Sequence, residues 1–331
     1  MAKKESARHA LRRFGRTALM TLAALAAPKF AHAKYDPFDP LGQMRKRHVE
    51  VNIEIAPGNW GTARPADIQM VLASVAQTFL DNVGLRRDAL HLRVVPRAGS
   101  PRVLYERGAD GQYVIQLTAR DQRWFQYAYQ FAHELCHVVS NFDHKRAVDD
   151  EVVQDNQWFE ESLCETAALF TLKELSAAWG RHPPTRNWMA YGPSFAAYAD
   201  HLIDEPHRHL PDGRSLREWY ADNRTALKDN PYLREKNEVV ASVLLPLFEA
   251  HPEFWRSIAY LNPERSSAGK PFPAYLADWY AAAPDKALPR AVMAGFGFDA
   301  DGAAAASAPH AAALAAGALP KDTAANGPAG D

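Results

Sequence analysis

Alternation dominates the first readable stretch of the chain. Val49, Val51, Ile53 and Ile55 fall on one face of an extended segment over 48–55, and Pro57-Gly58 breaks it. The period then lengthens. Over 65–83, Ile68, Val71, Leu72, Val75, Phe79 and Leu80 recur at three- and four-residue steps, which predicts an amphipathic helix stopped by Gly84. Segments 90–95, 103–106 and 113–118 predict strands, with a turn over 108–111. A second helical period begins near Asp121, where Trp124, Ala128, Phe131, Leu135 and Val138 form one apolar stripe. Residues 142–155 are charged and loop-like. Beyond them the pattern is mainly helical, over 158–173, 194–203, 216–227, 239–248 and 252–261, with loops at Pro183-Pro184 and over 206–213. Strand, helix, three strands, helix, then helices alone predicts an α+β class.

The helix after Asp121 carries a second stripe that core packing does not explain. Gln126, Gln130, His133 and His137 align inside an apolar segment, and polar side chains there need partners. Residues four apart share a helical face with Cβ atoms about 6 Å apart. Two imidazoles so placed can share one ion at about 2.0–2.1 Å. Glu134, beside the first, can take a proton from water on that ion and pass it to a leaving group. His133-Glu134-Leu135-Cys136-His137 is thus an HExxH arrangement. A catalytic ion of this kind takes a third protein ligand. It is expected in Trp158-Phe159-Glu160-Glu161-Ser162-Leu163-Cys164-Glu165, with Asn156 capping that helix. Glu161 and Glu165 share a face, and Glu160 is turned about 100° away. Glu161 is assigned to the metal and Glu165 to the outer nitrogen of a ligand histidine. The spacing also permits the reverse.

His133 and His137 followed by Trp-Phe-x-Glu-Ser-Leu resemble the gluzincin metallopeptidases. Gln130 ahead of His133, with Trp158-Phe159-Glu160-Glu161, most resembles poorly characterised exported bacterial members. The likeness is concentrated in 110–175, and Ser162 stands where the family commonly has Gly. The resemblance implies a two-lobed zincin-like fold. An N-terminal lobe over 34–141 would hold a mixed sheet and the HExxH helix, and a mainly helical lobe over 142–300 would supply the third ligand. It implies one Zn²⁺ on His133, His137 and Glu161, with Glu165 behind a ligand histidine. It implies a peptide or protein substrate hydrolysed with Glu134 as general base. Relatives use a Tyr ahead of a Lys-Gly step as donor to the developing oxyanion. Here Arg234-Glu235-Lys236-Asn237 occupies that stretch, which leaves Tyr232 and Arg234 as alternatives. In such folds the strand beside the metal helix is an exposed edge that can hold an extended peptide. Residues 113–118 are the candidate, with an ordinary core strand as the alternative. A metzincin would need Gly at Ser140 and His at Asp143, and His144 comes one residue late. Two other readings stand beside the peptidase: a metal-holding module without turnover, and a zinc hydrolase of a non-peptide substrate.

Charge and composition add to the picture at the ends of the chain. Lys3, Lys4, Arg8, Arg12, Arg13 and Arg16, an apolar stretch over 17–27, and Ala31-His32-Ala33 predict an export signal over 1–33 and a periplasmic or secreted mature protein. The stretch is too short for stable membrane insertion, which needs about twenty residues. Cleavage removes seven basic residues and one acidic one, taking the net charge from −1 to −7. That is a poor basis for binding nucleic acid. Residues 301–331, rich in Ala, Gly and Pro, predict a disordered tail. Cys136 and Cys164 flank the proposed ligands. A disulfide between them and a pair of buried thiols both fit. His182, His201, His207, His209 and His251 lack ligand spacing.

Overall fold

The computed structural model describes residues 49–85, 89–146 and 152–299. The expected export signal over 1–33 and tail over 301–331 lie outside them. β1 (Glu50–Ile55) runs parallel to β2 (Ala89–Pro96), and β2 runs parallel to β4 (Tyr113–Leu117). β3 (Arg102–Arg107) pairs antiparallel with β4, giving one mixed sheet of order β1-β2-β4-β3. Parallel neighbours need a crossover, and α1 (Pro65–Val83) supplies it between β1 and β2. Pro65 opens that helix where its missing N–H costs nothing. Gly84 closes it at φ 63°, donating its N–H to Leu80 O at 3.1 Å. Ile68, Val71, Leu72, Val75 and Phe79 are buried along α1, as their spacing requires.

The strand expected at the edge needs correcting. β4 is hydrogen-bonded on both sides, to β2 and to β3, so the outer strand beside β4 is β3. The reason is visible in the side chains. Tyr113, Ile115 and Leu117 of β4 are buried, whereas β3 offers only partly buried and exposed positions. A strand with that composition belongs at the rim. β3 also slips register between Val103, opposite Ile115, and Arg107, opposite Tyr113. Such bulges are frequent at edges.

α2 (Trp124–Val139) follows β4 and is stitched to its end by Gln130. The Gln130 Oε1 accepts the N–H groups of Thr118 and Ala119 at 2.9 and 3.0 Å, and its Nε2 donates to Thr118 Oγ1 at 2.9 Å. α3 (Gln157–Arg181) runs further than the expected 158–173 and is buried on nearly every side through its first four turns. That suits a central helix: α1, α2, α4 (Gly192–Ile203) and α6 (Arg234–Ala250) all pack on it. α4 comes close because Gly192 has no Cβ; one would sit 3.2 Å from Ser176 O.

α5 (Leu216–Asp229) opens on a Ser215–Glu218 capping box. The expected helix over 252–261 is a 3-10 run, Pro252–Tyr260. Two helices not expected from the pattern, α7 (Phe272–Ala282) and α8 (Ala287–Gly295), complete the described chain. Phe272 of α7 packs at 4.6 Å on Trp158 and 5.3 Å on Phe159, so the aromatics at the start of α3 are core anchors. No helix among the described residues is long and apolar enough to cross a membrane.

Candidate metal centre

α2 and α3 pack together and bring the histidine pair to the first turns of α3. His133 Nε2 lies 3.1 Å from Glu161 Oε2, and His137 Nε2 lies 3.5 Å from Glu161 Oε1. Tetrahedral ligands at about 2.0–2.1 Å from one ion stand about 3.3 Å apart, so these edges have the length an ion requires. The ligand atoms of the three residues all lie within 4.8 Å of one another. His133, His137 and Glu161 are therefore positioned to bind a metal ion. The alternative with Glu165 as ligand has the wrong orientation: Glu165 faces Nδ1 of His133, at 3.7 Å, on the far side of the ring.

Each imidazole also has its own outer carboxylate. Glu165 lies on the Nδ1 side of His133 but at 3.7 Å, longer than the expected hydrogen bond. Glu160 backs His137, with Oε1 2.7 Å from Nδ1. The angular offset that set Glu160 aside in the sequence is what lets it work. Glu160 and Glu161 leave α3 in different directions and reach the two nitrogens of one ring. Carboxylates behind ligand histidines fix their tautomer and orientation. Glu160 in turn accepts from Lys145 Nζ at 2.6 Å and Asn262 Nδ2 at 2.8 Å. Glu165 accepts from Arg208 Nη1 at 2.8 Å and from the Tyr129 phenol. Sequence reasoning missed Lys145, Arg208 and Glu160. A buried acid one step from a ligand acid was the signal available for the last.

Electrostatics make this pocket a seat for positive charge. Burial alone would lower the pKa of His133, but the hydrogen bond to Glu161 and the nearby Glu165 and Glu134 carboxylates override it and raise the group to about 10. His137 moves well up against the same burial, chiefly through the charge of Glu161. Burial pushes Glu161 upward, yet the His137 charge and the His133 hydrogen bond hold it well below the usual carboxylate range. The three acids around the two imidazoles thus favour positive charge here, which a bound cation can supply. Glu134 behaves differently. Only 4% exposed, it is pushed up by burial, while the charges of the two histidines oppose that.

Tyr232 and Arg234 have separate surroundings. Tyr232 is 56% exposed, but its phenol is pushed up to about 12 by burial at that end and by the charges of Glu161 and Glu160. Tyr105 of β3 is raised by burial and by the charges of Glu160, Tyr232 and Glu161. Arg234 turns the other way. Its Nε donates to Glu238 Oε1 at 2.6 Å and its Nη2 to the Tyr129 hydroxyl at 3.2 Å. His207, which lacked a partner by sequence spacing, has its Nε2 2.6 Å from Glu238 Oε2, with Glu205 at 3.8 Å. Arg208 also donates to Glu205 and Glu238. Two guanidiniums already neutralise these acids, so the group is a charge network rather than an ion cage.

Two further expectations change in detail. Asn156 does not cap α3 with its side chain; Nδ2 instead donates to Ala268 O and Lys270 O, at 3.0 and 2.9 Å. Cys136 and Cys164 are free, buried thiols. Burial and the neighbouring Cys136 push the Cys164 thiol well up. Of the two readings the structure carries the thiol pair, in the packing interface of α2 and α3. No known family model matches the chain, and no curated protein is significantly similar to it.

Proposed function

We propose that the protein is a zinc-dependent peptidase with a two-lobed zincin-like arrangement, exported by its N-terminal signal. One observation carries the reading. The His133–His137–Glu161 cage is formed on α2 and α3, Glu134 stands on α2 next to its first ligand, and α2 packs against the edge strand β3. When bound, zinc supplies Lewis acidity to a carbonyl and to water. The rest falls to the chain. Among the described residues β3 has a sheet neighbour on one side only, and an extended peptide can add on the other as a further strand. Glu134, buried with a raised pKa, is suited to take a proton from the attacking water and return it to the leaving amine. Tyr232, exposed and subject to the Glu161 charge, is the donor we assign to a developing oxyanion. Arg234 is already spent on Glu238 and Tyr129.

The test uses the full chain. Zinc content by elemental analysis should be one equivalent per chain, lost in His133→Ala. Mass-spectrometric mapping of a peptide library should show cleavage that falls by about 10²–10⁴-fold in Glu134→Gln while zinc stays bound. Stoichiometric zinc with no cleavage of any peptide would remove the peptidase reading and leave a metal-holding module.

A further inference from the structure

We infer that Lys145 is a positioning residue of the metal centre, one buried ammonium that sets two of the three ligands. The inference rests on the proposed metal site. The turn after α2 is built to bring this lysine back. Asn141 adopts φ 57°, and its Nδ2 is pinned to Ala259 O and Leu261 O at 2.8 and 2.9 Å. The 3-10 turn Phe142–Lys145 follows at once. Lys145 ends with its side chain 2% exposed.

Two arms leave its Nζ. One reaches Glu160 Oε2 at 2.6 Å, and Glu160 Oε1 meets His137 Nδ1 at 2.7 Å. The other reaches Gln157 Oε1, and Gln157 Nε2 donates to Glu161 Oε1 at 2.7 Å. Asn262 adds a second donor to Glu160 Oε2, and Tyr275 fixes that amide by donating to Asn262 Oδ1 at 3.0 Å. Burying an ammonium costs several kcal/mol before pairing, and an apolar side chain would fill the space without that cost. A lysine that served only to neutralise Glu160 would not need the Gln157 arm. That arm orients the Gln157 amide, with its oxygen to the lysine and its N–H₂ to the ligand carboxylate. Through it the lysine controls Glu161 as well as His137.

The experiment measures metal affinity, not turnover. Full-length wild type, Lys145→Met, Gln157→Met and His133→Ala are titrated with zinc against a chromophoric chelator, and cobalt(II) absorption reports ligand geometry. Lys145→Met is expected to weaken affinity by about 10–100-fold and to alter the cobalt spectrum. Gln157→Met keeps the Lys145–Glu160 pair and is expected to weaken it by about 10-fold. A folded Lys145→Met with wild-type affinity and spectrum overturns the inference. If that variant does not fold, wild-type affinity in Gln157→Met overturns it instead. A wild type that binds no more metal than His133→Ala defeats the metal reading itself, which is a separate result.

Discussion

The two histidines of α2 are braced from opposite flanks, and the braces differ in kind. Behind His137 lies a sealed set. Lys145, Glu160, Asn262 and Tyr275 are all at most 3% exposed, and the charges pair one to one. Behind His133 lies a set that runs out to solvent. Glu165 is held by Arg208 and Tyr129, Arg208 also serves Glu205 and Glu238, and Glu238 takes Arg234 and His207. Here one guanidinium is shared among three carboxylates, and the outer members Glu205, His207 and Arg234 are a third or more exposed. A sealed pair cannot lose a member without stranding a charge. A distributed network can lose one and redistribute. The two flanks therefore differ in closeness, 2.7 Å behind His137 against 3.7 Å behind His133, and in risk.

The sharpest way to break that comparison is to delete each acid. Glu160→Ala leaves the Lys145 ammonium buried without a counter-charge, and is expected to cost about 3–5 kcal/mol. Glu165→Ala leaves Arg208 with Glu205 and Glu238, so a cost of about 1–3 kcal/mol is expected, mainly because the buried Tyr129 hydroxyl loses the acceptor for its proton while still accepting from Arg234. Denaturant unfolding of the metal-free proteins measures both. Equal costs would mean that the sealed flank is no more brittle than the open one.

Acid and base should also separate the two partners on the open flank. In the metal-free protein the neighbouring His133 and Arg208 outweigh burial and hold Glu165 at about 2, below the usual 4.5. A depressed carboxylate contributes stability above its unfolded value, and that contribution is lost as pH falls from about 4.5 toward 2. His133 is shifted the opposite way, from 6.5 to about 10. Its contribution is full below about 6.5 and is lost as pH rises through 10. Metal-free stability should thus decline on both sides of a maximum near pH 5–6. Saturating zinc takes the place of the imidazole protons and should flatten the alkaline side. Thermal unfolding across pH with and without zinc reads this. An unchanged alkaline decline in zinc would mean that the ion does not reach His133.

Much of this centre was legible because its elements are local. His133 and His137 are set by helical spacing alone, and Glu161 by the packing of the next helix. What escaped depends on how separate elements meet. β3 and β4 exchange inner and outer places because pairing to β2 is decided by burial across the sheet, which a single segment does not reveal. Glu160 was discounted by treating α3 in isolation. Its value appears only once α2 crosses and offers two nitrogens of one ring. Lys145 and Arg208 come from short 3-10 turns, which have no long periodicity to read. Phe272 and Phe296 were invisible as core anchors because α7 and α8 are short and their apolar faces close on Trp158 and Phe159.

The smallest stability effect should fall at the outer end of the open flank, and it separates the two candidates for the oxyanion. Arg234 is 68% exposed, and its ion pair with Glu238 is duplicated by Arg208. Arg234→Ala should therefore change unfolding free energy by no more than about 1 kcal/mol. If Arg234 only supports the network, kcat should stay close to wild type. Tyr232→Phe removes one hydroxyl from an exposed ring and should be equally mild for stability. Losing an oxyanion donor, however, costs about 10²–10³ in kcat, so that variant should fold normally, bind zinc normally and turn over poorly. The reverse pattern, with Arg234→Ala crippled in kcat and Tyr232→Phe fully active, would move the donor to the guanidinium. The flank behind His133 would then be part of the chemistry rather than a brace for it.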